Sequence, residues 1–130
     1  MNQKEIFSND QYGNVNNYYN YKFDQELGRW VLTDWDIWIY DERGNLLDER
    51  SQKWNNQNQE WDNYYRNIFI YDDRDNIIDF THYHWWNEQN DWYGVLHDTY
   101  TYDENYNLIK ELYYDLIWET QEWIYEYGTF

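Results

Sequence analysis

The chain has 130 residues, enough for one modest domain, and 25% of them are aromatic. Alanine, proline and cysteine are absent. Abundant Tyr, Trp, Ile and Thr without alanine favour strands over helices. The lack of cysteine excludes disulfides, thiol catalysis and zinc sites of the thiolate type.

The formal net charge is −17, from 26 acidic and 9 basic residues. Phosphates would be repelled, so we expect no nucleic-acid partner, and anionic membrane surfaces are disfavoured for the same reason. No apolar run is long enough for membrane insertion, and the first residues lack the apolar region of a signal peptide. Either the protein stays inside the cell or the chain is the mature part of a secreted protein.

One constant spacing, that between Trp30 and Trp61, organises the whole sequence. Positions that recur at this spacing are called a column below. The columns are Trp30, Trp61, Trp92 and Trp123; Tyr40, Tyr71 and Tyr102; Asp10, Asp41, Asp72 and Asp103; Asn14, Asn45, Asn76 and Asn107; and Phe23, Trp54, Trp85 and Leu116. Such a period indicates tandem repeats, each of them one supersecondary unit.

In chain order, each repeat predicts two strands and two turns. A partial strand over 6–10 comes first, and the pattern is clearest in the strand 30–40, which alternates without a breaker before the turn 40–45 and a polar turn over 56–60. A last, partial strand covers 123–130. We predict an all-β protein, an antiparallel up-and-down meander of four 31-residue β-hairpin repeats with about nine strands. The single domain 1–130 then divides near 1–39, 40–70, 71–101 and 102–130.

The turn between the Asp and Asn columns predicts a three-residue hairpin loop with a bulge, closed by a left-handed residue. In the last copy we expect Asn105 to be that residue. This loop type predicts strand pairs on either side of it, and it places the Trp30, Trp38, Tyr40, Leu46 and Trp54 columns on one face, the better candidate for a core. The predicted pairs are Tyr40 with Leu46, Trp38 with Asp48, and Asp36 with Arg50.

The motif Tyr-Asp-x-x-Gly-Asn-Leu at 40–46, followed by a Trp-bearing turn and a return to Tyr-Asp, resembles the YD-type repeats. These occur in Rhs-like shell proteins and in large secreted or surface proteins of Bacteroidota. The resemblance implies a hairpin-repeat fold and an extracellular or cell-surface setting. Asp75 and Tyr106 stand where the motif has Gly.

The many carboxylates suggest catalysis or metal binding, and both have simpler explanations. Asp34 and Asp36 share a strand face, but other copies do not repeat the pair, so we expect no catalytic residues and no cofactor. Asp72, Asp73 and Asp75 could hold calcium, although turn chemistry explains them and their spacing matches no calcium loop. His82, His84 and His97 could hold zinc, but they occur in one copy only.

The ring columns are the most informative feature for function. The tryptophan column is interpreted as core or stacking between hairpins. The variable aromatics are the candidates for contact with a ligand such as a polysaccharide. They are Trp35, Trp86, Tyr93 and Trp118.

Three functions fit these features. The first is a non-catalytic structural or adhesive surface repeat that self-associates through its partial terminal strands into filaments. The second is a glycan-binding module that uses exposed Trp and Tyr. The third is an acidic inhibitor or immunity-type protein, which has no need of identical columns. The partial strands favour self-association over the second function.

The charge generates a first prediction. The protein should not bind DNA or RNA measurably at about 150 mM salt. Its net charge is negative, and we expect no basic groove for the phosphate backbone of a nucleic acid. Electrophoretic shift with single- and double-stranded oligonucleotides tests this. A shift at micromolar protein would contradict it.

Overall fold

A computed structural model describes residues 2–117 and 122–129. Nine antiparallel strands form one up-and-down sheet in the order β1 to β9, with no helix among the described residues. The all-β meander is therefore confirmed. The strands are β1 (Gln3–Asn9), β2 (Val15–Asp24), β3 (Arg29–Tyr40), β4 (Leu46–Asn55), β5 (Glu60–Tyr71), β6 (Ile77–Trp86), β7 (Asp91–Tyr102), β8 (Leu108–Ile117) and β9 (Glu122–Thr129).

The chain forms two compact units, Met1–Arg66 and Asn67–Phe130. The first contains β1 to β4 and the beginning of β5. The second contains the end of β5 and β6 to β9. Each unit therefore has its own set of strand pairs and turns.

The Asp and Asn columns form one hydrogen-bonded turn, called the Asp–Asn turn. Asp41 Oδ1 accepts from the backbone N–H of Arg43 (2.9 Å) and of Asn45 (2.8 Å), and Asp41 Oδ2 accepts from Asn45 Nδ2 at 3.1 Å. The N–H of Asp41 donates to the carbonyl of Asn45 at 2.9 Å. Asp10, Asp72 and Asp103 make the same bonds to their asparagines. The turn therefore explains why the two columns recur together.

The third residue after each turn aspartate adopts a left-handed backbone. In the first unit these residues are Gly13 and Gly44, each at φ 86°. In the second unit they are Asp75 at φ 66° and Tyr106 at φ 67°. The prediction that Asn105 is the left-handed residue is wrong. Asp103 accepts hydrogen bonds from the N–H groups of Asn105 and Asn107, and these bonds fix the bend at Tyr106 between them. Side chains other than glycine lie in this region at a cost of about 1 kcal/mol.

A β-bulge follows each Asp–Asn turn for which pairing is described, and it shifts the register by one residue. Between β3 and β4 the extra residue is Leu47, and between β7 and β8 it is Ile109. The predicted pairs are therefore only partly right, because they omit this residue. The observed pairs are Tyr40 with Leu46, Trp38 with Glu49, and Asp36 with Ser51.

A second set of bulges corrects the predicted faces. Thr33 is the extra residue between β2 and β3, and Val95 between β6 and β7. Because an extra residue reverses the alternation of side chains, Trp30 and Trp54 lie on the opposite face from Trp38. The Trp38 face of the first unit carries Tyr18, Asp36, Trp38, Tyr40, Leu46 and Ser51, and the Trp35 face carries Tyr19, Trp30, Trp35, Trp54 and Trp61.

Aromatic side chains pack against neighbours on the same face. Among the described residues no apolar side chain is fully buried. The buried residues are polar or charged: Asp48, Ser51, Thr81 and Asp98. In the first unit Trp61 contacts Trp35 and Trp54, with ring centroids 5.6 and 5.2 Å apart. Asp48 is buried between two arginines, Arg66 at 2.6 Å and Arg50 at 2.9 Å. Its burial raises the pKa, but the hydrogen bonds from these arginines outweigh that effect and lower it.

The geometry of the turn predicts the effect of Gly44→Ala. A Cβ at this position meets nothing within 4 Å, so the substitution tests the backbone alone. We expect it to lower the free energy of unfolding by about 1 kcal/mol, since alanine disfavours a positive φ. Denaturant unfolding measures this, with Glu42→Ala in the same turn as the control. Equal stability of the Gly44 variant and the wild type would contradict the account of the turn.

Candidate binding edge at strand β1

Strand β1 is the first strand of the sheet, and all seven of its residues are exposed. Its apolar side chains are among them, Ile6 with 40% and Phe7 with 55% of its surface accessible. Strand β1 pairs with β2 from Gln3 to Asn9. An exposed terminal strand of this length offers a template for pairing with another chain.

The hydrogen-bond pattern shows which backbone groups of β1 point outward. The carbonyl of Asn2 accepts from the N–H of Phe23 on β2 at 3.0 Å. Residues alternate along an antiparallel strand, so Lys4, Ile6 and Ser8 direct their backbone groups to β2 in the same way. The N–H and C=O groups of the residues between them point away from β2. These residues are Gln3, Glu5 and Phe7.

Side chains beside this edge are held by neighbouring rings. The Phe7 ring lies 4.9 Å from that of Tyr18, and the Lys4 ammonium lies 5.2 Å over the Tyr21 ring. Burial raises the pKa of Tyr18, and its hydrogen bond with Glu5 raises it further. A groove of about 640 Å³ runs here, lined by Gln3, Lys4, Glu5, Phe7 and Trp30. The side chains of Phe7 and Lys4 thus pack on rings of β2.

The structure places most of the variable aromatics against other rings. Trp35 stacks on Tyr19, with centroids 5.5 Å apart and planes at 17°, and its Nε1 donates to Asn17 at 2.9 Å. Trp86 and Tyr93 pack edge to face at 6.2 Å. Trp118 lies outside the described residues. Ring-to-ring packing is thus the observed contact of the other three.

The tryptophan column also makes ring contacts. Trp61 packs in the cluster described above, Trp92 packs edge to face on Trp85 at 5.1 Å, and Trp30 packs likewise on Phe23 at 5.4 Å. Trp123 lies 5.4 Å from the ring of His97. Two residues of the tyrosine column instead bond to the backbone of their own unit. Tyr40 donates to the carbonyl of Val15 at 3.0 Å and Tyr102 to that of Ile77 at 2.9 Å.

The three histidines do not converge. His82 and His84 share a face, with rings 4.8 Å apart, and His82 contacts Asn67. His97 pairs with Thr81, next to His82, and so lies on the other face. There its Nε2 bonds to Asp79 at 2.8 Å. Within residues 2–117 and 122–129 no group of three or more metal-ligating side chains is positioned to hold an ion.

The three aspartates considered for calcium lie in or beside one Asp–Asn turn. Asp72 is the aspartate of an Asp–Asn turn, with both carboxylate oxygens bonded within that turn. Asp75 is its left-handed residue. Asp73 lies between them and lines a groove with Arg74, whose guanidinium lies 4.2 Å over the Tyr106 ring. The observed contacts of Asp72 are those of turn chemistry.

Asp34 and Asp36 share the Trp38 face, as predicted from sequence, and have opposite pKa shifts. Burial raises the pKa of Asp34, but hydrogen bonds from Thr33 and Lys53 outweigh it and lower the pKa. Burial raises the pKa of Asp36, and the charges of Asp34 and Glu49 add to this despite a hydrogen bond from Ser51. Asp34 lines a groove whose lining does not include Asp36.

An equivalent buried acid lies in the second unit. Asp98 is 6% exposed, and its Oδ1 has no hydrogen-bond partner among the described residues. Burial raises the pKa of Asp98, and the charge of Glu111 raises it further. Burial, with the charges of Asp98 and Glu111, raises the pKa of Tyr100 to about 12. In the preceding copy of the repeat the position is Asn67, a neutral side chain.

Sequence reasoning did not identify two sets of residues. One set is the outward-facing Gln3, Glu5 and Phe7, which only the hydrogen-bond alternation reveals. The other is a groove around Val31 in the first unit, between Lys22 and Lys53. The sequence did contain a signal for this groove. Val31 stands where the matching copy in the second unit has the larger Tyr93.

No protein-family model matches the chain, and no curated relative matches it. Among solved structures, a Bacteroides fragilis protein of unknown function has a TM-score of 0.68 and 17% identity, covering 98% of this chain and 91% of that one. A DUF3836 family protein from Bacteroides vulgatus has a TM-score of 0.61 and 17% identity, covering 73% and 92%. A DUF3836 family protein from Parabacteroides distasonis has a TM-score of 0.52 and 16% identity, covering 68% and 81%.

These likenesses show the fold alone. The resemblance to YD-type repeats therefore stays a prediction. In the described part of the chain, no helix has the length and apolar character needed to span a membrane.

The buried acid predicts the effect of Asp98→Asn. A carboxyl whose pKa is raised on folding stabilises the protein below the ordinary pKa, and this stability is lost as pH rises through the folded value. The amide has no such loss, so we expect the variant to be more stable by about 1 kcal/mol near neutral pH.

Urea unfolding at several pH values measures this difference. It should shrink as pH falls below about 4, where the wild-type carboxyl is neutral in both states. Glu88→Gln removes the same charge from an exposed turn and is the control. A less stable Asp98 variant at neutral pH would show that the charged carboxylate is needed.

Proposed function

We propose that this chain is a non-catalytic structural repeat that associates end to end with other copies by strand addition between β1 and β9. The observation that supports this best is strand β1 itself, exposed along its whole length, with the backbone groups of Gln3, Glu5 and Phe7 directed away from β2. An added strand would satisfy these groups, as in other cases of β-augmentation.

The features that usually protect an edge strand are weak in β1. It has no proline, and Lys4 is its only lysine. The ammonium of Lys4 lies over the Tyr21 ring of the neighbouring strand β2. In this position it does not block the outer edge of β1 against an incoming strand. Exposed Ile6 and Phe7 offer apolar surface on the two faces of the same strand.

Strand β9 is the second edge in this proposal. It is the last strand of the sheet and pairs with β8 from Glu122 to Thr129. A contact between different edges of identical chains is heterologous, and it forms filaments when it does not close. An adhesive or scaffolding layer at the cell surface is the setting that this proposal suggests.

The charge of −17 opposes association. Repulsion between copies is screened by salt, with a Debye length of about 8 Å at physiological ionic strength. Association should therefore strengthen as salt increases. This dependence distinguishes it from contacts held by ion pairs, which salt weakens.

Glu5→Pro tests the proposal at one backbone group. Proline removes the outward N–H at residue 5 and leaves the hydrogen bonds to β2 intact. We expect wild-type protein to form larger particles as concentration rises and the variant to remain monomeric, because the added strand loses a bond and meets the proline ring. Analytical ultracentrifugation over a wide concentration range, with added salt, measures both.

Glu5→Ala is the matched control, since it removes the same side chain and keeps the N–H. It should associate like the wild type, and circular dichroism should show equal strand content in all three proteins. A wild type that sediments as a monomer at every concentration and salt level would contradict the proposal.

A further inference from the structure

A second groove on the first unit lies between the β2–β3 hairpin and β4, and none of its lining residues belongs to strand β1. Its volume is about 550 Å³, and its charged lining residues are Lys22, Asp24, Asp34 and Lys53. The pairs Lys22–Val31 and Asp34–Lys53 place these four side chains on the Trp38 face. Val31 is the one apolar side chain among the four, and it pairs with Lys22.

The second unit shows what occupies the corresponding place when the residue is larger. In its matching copy of the repeat, Tyr93 replaces Val31 and His84 replaces Lys22. The Tyr93 ring packs 5.8 Å from the His84 ring and 6.2 Å from the Trp86 ring, and its hydroxyl lies 3.4 Å from His84 Nδ1. A six-membered ring bearing a hydroxyl thus lies at this position of the sheet. Val31 leaves the same space open in the first unit.

The groove offers balanced polar groups around an apolar surface. Its two ammonium groups and two carboxylates cancel in formal charge, and Lys53 is 3.1 Å from Asp34. Lys22 has no carboxylate partner within the part of the chain that the structure describes. Gln25 and Asn56 add amide donors and acceptors, and Val31 adds apolar surface. Such a mixture suits a neutral ligand with several hydroxyls and an apolar ring face.

We propose that this groove binds one pyranose ring of a neutral saccharide. The carbon face of the sugar lies on Val31, and its hydroxyls accept from Lys22 and donate to Asp24. An acidic sugar is disfavoured by the chain's net charge of −17. The site goes beyond association through β1 and does not depend on it, because it shares no residue with that edge.

The test uses methyl pyranosides of glucose, galactose, mannose and N-acetylglucosamine with the intact chain. Saturation-transfer NMR should detect at least one of them, and calorimetry should give a Kd of about 0.1–1 mM, the weak end of the affinity scale expected for an open groove with few polar anchors. Sorbitol, which has hydroxyls but no ring, should not bind.

Val31→Tyr fills the groove with the side chain that the second unit already has at this position. We expect it to weaken binding by at least about tenfold, while Val31→Thr, which keeps the volume, changes the Kd by less than about threefold. Lys22→Met removes a donor and keeps the side-chain length, so it should also weaken binding. It serves as the test if the tyrosine variant does not fold.

Two results would overturn the inference. One is that none of the four pyranosides binds folded wild-type protein at about 20 mM, well above the expected Kd. The other is binding that is unchanged in both the Val31→Tyr and the Lys22→Met variant, which would place the sugar elsewhere. Glu5→Pro should leave sugar binding unchanged, so failure of this site and failure of the β1 proposal are separate outcomes.

Discussion

Packing between side chains on the same face of neighbouring strands is the interaction on which this structure depends. All nine strands belong to one sheet, and among the described residues no apolar side chain is fully buried. Burial must therefore come from lateral neighbours. Aromatic rings suit this need, because they reach across an intervening strand, as Trp61 on β5 does to Trp35 on β3 at 5.6 Å. The high aromatic content follows from this requirement.

The bulges decide which side chains can meet in this way. Leu47 and Thr33 each reverse the alternation of side chains, so the tryptophans of one hairpin divide between two faces. The Trp35 face gathers rings, while the Trp38 face also gathers acids such as Asp36, whose Oδ1 lacks a hydrogen-bond partner among the described residues. The same division brings Lys22, Val31 and Lys53 together. A groove with polar walls thus results from the register that stacks rings on the opposite face.

Much of the fold was accessible from sequence because its strongest constraints are local. The Asp41–Asn45 spacing specifies a turn through bonds between near neighbours in the chain, and the alternation over 30–40 specifies a strand. The bulges were not accessible, since Leu47 and Thr33 are ordinary strand residues whose extra position depends on the partner strand. For the same reason the faces and the separation of His97 from His82 were missed. The left-handed Tyr106 was missed although the bonds that fix it are local, to the carboxylate of Asp103. The exposed edge was suggested by the partial first strand, but the outward groups of Glu5 and Phe7 required the hydrogen bonds.

A double-mutant cycle on Trp35 and Trp61 tests the central claim most directly. The two rings lie on strands separated by β4, so their interaction is a lateral contact with no shared backbone hydrogen bond. Denaturant unfolding of Trp35→Ala, Trp61→Ala and the double variant gives the coupling energy. We predict a favourable coupling of about 0.5–1.5 kcal/mol, the range for aromatic pairs. Additive single effects would contradict the account, because they would show that the sheet is stable without contact between these rings.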